Sequence, residues 1–234
     1  MLVSVVVPAF NEEKYIDRCL EALARQEHSC FDVEVIVVND GSTDRTAAIA
    51  RQYGAGVISQ ARRGVSGARQ AGFEAARGEI IASMDADTTP PRDWLLRLVT
   101  ELQSSPDMVG VYGPIRLHDG KQWVDWASHS LGGLFLWLNN CMRKPTFSGQ
   151  NFAVRKHAWV RVGGFDPSWA SSEDTLLSLK LARIGRVKFC WDNVVPTSAR
   201  RLREGVWSFG KRSVSNYLRV VWLGAPPLPF PDFR

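Results

Sequence analysis

The chain reads as an α/β protein, a single domain on a mostly parallel, Rossmann-like central sheet flanked by helices, and three observations carry that reading. Four short apolar, β-branched runs, "VSVVV", "VEVIVV", "GVIS" and "EIIASM", alternate with helical patterns up to about residue 105, the βαβα rhythm of a parallel sheet covered on both faces. Three of those runs lead directly into polar stretches, "PAFNEE", "NDGSTD" and "DADTTPP". In open parallel sheets ligands bind outside the carboxyl ends of the strands, so these stretches are where a cleft is expected. Finally, 234 residues with 45% hydrophobic content are enough for one sizeable core.

The elements follow in order. After the first strand, a helix over 12–26 places Ile16, Cys19, Leu20 and Leu23 on one face, with Asn11 positioned as its cap. A second helix spans about 44–53 with Gly54 as its stop, and a third about 66–77 with Gly78 as its stop. Pro90 and Pro91 open a fourth, "RDWLLRLVTELQ". Beyond "MVGVYG" the pattern blurs: residues 115–146 are rich in Trp, Gly and Leu and have no clean period. Order returns with a helix near 155–162, the turn "GGFDP", a helix over 173–184 that Gly185 ends, and the strand "RVKFCW". From Pro196 onward basic and aromatic residues alternate, and the chain finishes in "APPLPFPDF", which cannot continue a helix.

A net charge of +5 permits an anionic partner, but charge totals bear on association, not on fold. Cys19, Cys30, Cys141 and Cys190 are scattered without a close pair, so neither a disulfide framework nor a zinc ribbon is indicated and a reducing cytoplasm is the expected compartment. The chain opens on a strand-like run without the features of a signal peptide. No run approaches the roughly 18 apolar residues of a membrane span.

Asp85 and Asp87 lie two apart, so in extended backbone both project to one side. They could share a hard divalent cation, which takes one or two carboxylates and completes its shell with water and phosphates. Taken alone, the pair reads first as an acidic turn before a helix. Asp40 sits in "NDGS", which is also a good turn. Asp174 follows Ser171 by three residues, which approximates a capping box.

The combination is more specific than its parts. "VSVVVPAFNEEKYI", "VEVIVVNDGSTDRT", "RRGVSGARQAGFEAARGEIIASMDAD", "SGQNFAVRKHAWVRVGGFDP" and "SSEDTLLSLKLARIGR" occur in the order and at roughly the spacing of the family 2 glycosyltransferases, inverting enzymes of the GT-A fold. The sequence resembles that family over nearly 190 residues. The resemblance implies a domain over 1–195, with 1–114 as its nucleotide-sugar half and 115–195 as its acceptor half, followed by a basic and aromatic tail over 196–234. It implies that Pro8, Ala9 and Glu12 line the nucleotide base, that Asp40 reads uracil and that Arg69 lies near the nucleotide. Asp85 would face the ribose, Asp87 would hold Mg²⁺ or Mn²⁺ on the diphosphate, and Asp174 would be the general base. Gln150 or Asn151 would hydrogen-bond the donor sugar.

The partner implied is therefore a nucleoside-diphosphate sugar, most simply UDP-linked, and not a nucleic acid. The acceptor is open, with a lipid-linked one among the choices. The tail suits either packing across the acceptor cleft or peripheral contact with an anionic membrane. Trp123, Trp126, Phe135 and Trp137 read as sugar-stacking, polyprenyl-contacting or core residues. One departure stands out: many relatives carry a metal-binding histidine after the strand that follows the "ED" helix, and this chain has none after His157. Arg200 and Arg201 are candidates to reach the diphosphate instead, since guanidinium matches phosphate oxygens bidentately; a solvated basic helix is the alternative. Two other functions remain open at this level. A nucleotidyltransferase would use a similar sheet, although "PAFNEE" stands where its glycine-rich phosphate loop belongs. A catalytically silent sugar- or lipid-binding protein is the other.

Overall fold

The computed structural model describes residues 1–118, 122–166, 168–169, 171–200 and 206–228. Its strands are β1 (Leu2–Ala9), β2 (Asp32–Asn39), β3 (Gly56–Ser59), β4 (Ile80–Ser83), β5 (Met108–Tyr112), β6 (Ile115–His118), β7 (Phe152–Arg155), β8 (Arg186–Phe189) and β9 (Val195–Ser198). Seven of them form one sheet in the order β3-β2-β1-β4-β7-β5-β8. β7 runs antiparallel to both β4 and β5, and the remaining pairs are parallel. β6 and β9 form a separate parallel ribbon.

The β-branched runs are strands because both of their faces are buried. Val3, Val5 and Val7 of β1 join Ile80 and Ala82 of β4 in one core, against α1 (Ile16–Ala24), α2 (Thr46–Gln52) and α4 (Trp94–Gln103). Val6, Val38 and Ile81 point the other way, into a second core with α3 (Gly64–Ala75), α6 (Lys156–Arg161) and α7 (Glu173–Leu181). Successive strand residues thus serve opposite cores, which is why no polar alternation is visible. Trp94, on the helix that packs against β5 and β7, is fully buried, and truncating a side chain of that size costs about 3–5 kcal/mol.

The helix starts and stops differ from expectation in instructive ways. Asn11 does not cap α1. It adopts positive φ (54°), its Oδ1 accepts the Thr43 N–H at 2.9 Å and its own N–H donates to Ser42 Oγ at 3.0 Å, so it ties the loop after β1 to the loop after β2. Gly54 does adopt positive φ after α2. Gly78 is not a left-handed stop: a Cβ there would lie 2.6 Å from Ser4 N and 2.8 Å from Leu2 O, so its role is close approach to β1. Gly185 likewise sits against Val109 and the Asp107 carbonyl beyond the end of α7.

The segment without a period contains β6 and then a 20-residue helix, α5 (Gln122–Cys141). Trp123, Leu131 and Phe135 line a cleft, while Trp126, Leu134 and Trp137 are exposed elsewhere on the same helix. A helix with apolar residues on more than one side shows no single stripe. The boundary drawn at 195 falls inside β9, whose pairing with β6 brings residues 196–200 into the body of the fold. α8 (Val206–Tyr217) follows and continues as a π-helical turn, Leu218–Trp222. Among the described residues no helix is long and apolar enough to cross a membrane.

Candidate functional site

The ends of β1, β2 and β4 open on one cleft of about 1000 Å³. Asp40, Arg69, Asp85, Gln150, Asp174 and Arg200 all line it. The opposite wall is apolar, from Leu131 and Phe135 of α5 and from Tyr217 and Leu218 at the end of α8.

On the β1 side, Pro8 and Ala9 are buried within the strand, and the Ala9 carbonyl accepts the Asp40 N–H at 2.9 Å. The side chain facing the cleft there is Phe10, with the Arg62 guanidinium 3.6 Å from its ring centroid. Asp40 is buried and organises the loop that starts α3. Its Oδ1 accepts from Gln60 Nε2 and from the Arg63 N–H, both at 2.8 Å, and its Oδ2 accepts the Gly64 N–H at 2.9 Å. A carboxylate oxygen has about two acceptor positions, so Oδ2 retains one among the described partners.

Arg69 is held between two acids. Nη2 donates to Asp85 Oδ1 at 2.7 Å, and Nη1 donates to Glu173 Oε1. Burial opposes its charge, but Glu173, Asp85 and Asp174 more than offset this, and its pKa moves up. Gly149 makes room for it, since a Cβ at that position would overlap the guanidinium. Glu173 is a site residue that the sequence reading passed over. Its signal was the first acid of "SSED", adjacent to the one selected.

Asp85 and Asp87 lie in a turn closed by the Thr88 N–H on the Asp85 carbonyl at 3.1 Å and not in extended backbone, and they have different partners, while Met84 and Ala86 enter the core. Arg200 Nε lies 2.8 Å from Asp87 Oδ2, while Nη1 and Nη2 donate to Glu12 Oε2 and Oε1 at 2.7 and 2.6 Å. Thr197 Oγ1 donates to Asp87 Oδ1 at 3.3 Å. Glu12 is therefore engaged with Arg200 instead of standing free beside the base. Arg201 lies outside the described residues.

Asp174 occupies the first turn of α7, partly exposed to the cleft. The capping box does not form. The residue before the helix is Ser172, in left-handed backbone (φ 56°) and without a side-chain cap, while Ser171 Oγ donates to the Leu228 carbonyl at 3.3 Å. For a residue other than glycine, left-handed backbone costs roughly 1–3 kcal/mol and persists where the surroundings enforce it. Burial first, and the neighbouring Glu173 charge second, push the Asp174 pKa up to about 7, against the pull of Arg69 and of the Thr175 N–H. Its carboxylate can thus accept a proton near neutral pH.

Two further side chains separate. Gln150 lines the cleft, with its Oε1 accepting from Ser148 Oγ at 2.8 Å. Asn151 does not reach it. It is fully buried, accepts from Trp94 Nε1 at 2.9 Å and donates to the Pro114 and Asn193 carbonyls at 2.9 and 2.6 Å.

A hard divalent cation needs carboxylate oxygens, and Asp87 suits that chemistry. Among the described residues no cluster of three His, Cys, Asp or Glu surrounds it. Of its two oxygens, Oδ2 is paired with Arg200 and Oδ1 takes the 3.3 Å contact from Thr197.

The family model described as "Glycosyl transferase family 2" matches residues 4–165. The chain belongs to that family. It is 32% identical over 209 residues to an uncharacterized glycosyltransferase of Nostoc sp., covering 83% of this chain and 63% of that protein. Among solved structures, a mannosyltransferase from Pyrobaculum calidifontis in complex with GDP-Man and Mn²⁺ superposes with a TM-score of 0.73 at 24% identity, over 92% of this chain and 61% of the other. S. aureus TarS 1-349 in complex with UDP-GlcNAc gives 0.69 at 22% identity, over 94% and 65%. These likenesses establish the GT-A fold. The chain spans less than two thirds of the length of each of these proteins.

Proposed function

We propose that this family 2 member transfers a sugar from a nucleoside-diphosphate donor, UDP-linked by preference, to an acceptor hydroxyl or phosphate, with inversion at the anomeric carbon. The observation that carries the reading is the meeting of Asp40, Asp85 and Asp174 in one cleft from three distant parts of the sequence.

The open acceptor position of Asp40 Oδ2 takes an N–H of the base, with Phe10 bounding that end of the pocket. Asp85, fixed by Arg69, faces the ribose hydroxyls. Gln150 has its Oε1 on Ser148, leaving its NH₂ as the donor to a sugar hydroxyl. Asp174 accepts the acceptor's proton as that oxygen forms its bond to the anomeric carbon. The bond from that carbon to the diphosphate breaks on the opposite face, and the nucleoside diphosphate leaves with the electron pair. Asp87 would hold a Mg²⁺ or Mn²⁺ ion, which would supply Lewis-acid stabilisation of the leaving diphosphate. The apolar wall of α5 and Leu218 suits an acceptor with a hydrocarbon portion, such as a lipid-linked one.

Incubation with Mn²⁺ and a panel of UDP- and GDP-sugars, following slow release of free nucleoside diphosphate, tests the reading. Release from one donor, UDP-linked, is expected. Binding without release from any donor would favour a silent sugar-binding protein. Pyrophosphate formed from a sugar 1-phosphate and a nucleoside triphosphate would replace the proposal with nucleotidyl transfer.

A further inference from the structure

Asp87, the carboxylate proposed above to hold the metal, is already paired with a basic side chain. Arg200 spans Glu12 through both terminal nitrogens and Asp87 through Nε, and of the three it is Arg200 that lines the cleft. Only about a tenth of its side-chain surface is exposed, 11%, and that of Asp87 and Glu12 is 3% and 2%. Both acids and the ring of Tyr15, 4.7 Å from the guanidinium carbon, keep it charged against the cost of burial.

The backbone around this contact is fixed independently of the guanidinium. Ser198 N–H donates to the Asp87 carbonyl at 3.3 Å, and Thr88 and Thr197 bridge strand to strand and share a hydroxyl contact at 3.1 Å. Arg200 can therefore move its head group by side-chain rotation while Asp87 stays in place. A divalent ion on Asp87 Oδ2 would sit at about 2.0–2.2 Å, in the space the Nε–H now uses at 2.8 Å. Two cations on one carboxylate oxygen repel each other, so the guanidinium weakens the hold of Asp87 on a metal. A diphosphate offers the displaced guanidinium what Glu12 offers it now, a pair of anionic oxygens in fork geometry.

We infer that Arg200 is a tethered cation that holds the metal-binding carboxylate in the donor-free chain and is exchanged for the metal when a nucleoside diphosphate arrives to receive it. The inference rests on the reading of the cleft as a nucleoside-diphosphate site. It makes metal binding conditional on nucleotide, so that the metal is taken up as part of the donor complex.

Mn²⁺ binding to the nucleotide-free protein, measured as loss of the free-ion electron paramagnetic resonance signal, tests it without any turnover. Wild type should bind weakly. Arg200→Gln should bind Mn²⁺ at least about tenfold more tightly, and adding Asp87→Asn to that variant should remove the gain. Arg200→Lys keeps a charge without the fork and should lie between the two, which gives a second variant if the first is poorly folded by circular dichroism. In EDTA, UDP should bind wild type about tenfold more tightly than Arg200→Gln. Mn²⁺ affinity unchanged in both folded variants overturns the exchange. Failure of any nucleoside diphosphate to bind wild type, with the Mn²⁺ gain present, overturns the functional reading and the second half of the exchange while leaving the competition at Asp87 in place.

Discussion

Asp174→Asn separates chemistry from stability more cleanly than any other substitution in this cleft. The carboxyl is pushed up to about 7, so in the wild type about half is ionised at pH 7 and about a tenth at pH 6. If it is the general base, log kcat/KM rises with unit slope up to about pH 7 and then levels. Replacing the carboxylate with an amide should lower turnover by roughly 10²–10⁴ and abolish that limb. Stability should move the other way. A carboxyl whose folded pKa exceeds its unfolded value of about 3.9 favours the folded state fully below that value, and this contribution is lost as pH rises from about 4 to about 7. Three units correspond to about 4 kcal/mol at most, and the partial exposure of the side chain brings the working figure to about 1–2 kcal/mol. The variant should therefore match the wild type near pH 4 and be more stable at pH 8 in urea melts. No cap is lost, because no capping box is present. Near-normal turnover at pH 7, or a wild-type pH profile in the variant, would remove Asp174 from the mechanism.

Asp87→Ala should abolish metal-dependent release of nucleoside diphosphate while leaving the fold intact, and unchanged release in Mn²⁺ would return the "DAD" stretch to the status of a turn. Arg69→Met should destabilise by about 3–5 kcal/mol in denaturant melts, because Asp85 and Glu173 are left buried without their counter-charge; a loss below 1 kcal/mol would show that the pair is solvated in practice. Gly149→Ala should displace the Arg69 guanidinium and weaken nucleotide binding together with stability, measurable by titration calorimetry and thermal melts. Asp40→Asn removes one of two acceptor oxygens used by the 60–64 loop and should weaken UDP binding at least about tenfold; equal affinity would place the base elsewhere.

The half of the fold that sequence reveals is the half with one repeated physical unit. β1 to β4 and their helices read correctly because strands buried on both faces are continuous in hydrophobicity and helices buried on one face are not. α5 does not read, because cleft wall and outer surface both demand apolar residues and erase the stripe. The three aspartates at strand ends were legible for the same reason as the strands: a charge that follows directly on a buried run has few places to go. Glu173 was not legible, since nothing local says that it is paired with Arg69, 104 positions away in sequence. Nor was Arg200. The missing histidine marked a gap in the metal shell, but only the pairing of β9 with β6 shows which basic residue meets Asp87.

That ribbon also bears on how such a chain can be altered. β6 leads towards α5, the apolar wall of the cleft, and β9 leads to Arg200 beside Asp87, so two parallel strands of four residues set both in register. Chimeras that exchange residues 115–146 with those of a relative, in search of a new acceptor, will also shift the arginine unless residues 195–200 travel with them. The apolar wall and the Arg200 anchor are in this sense one transplantable cassette, interrupted in sequence and continuous in space.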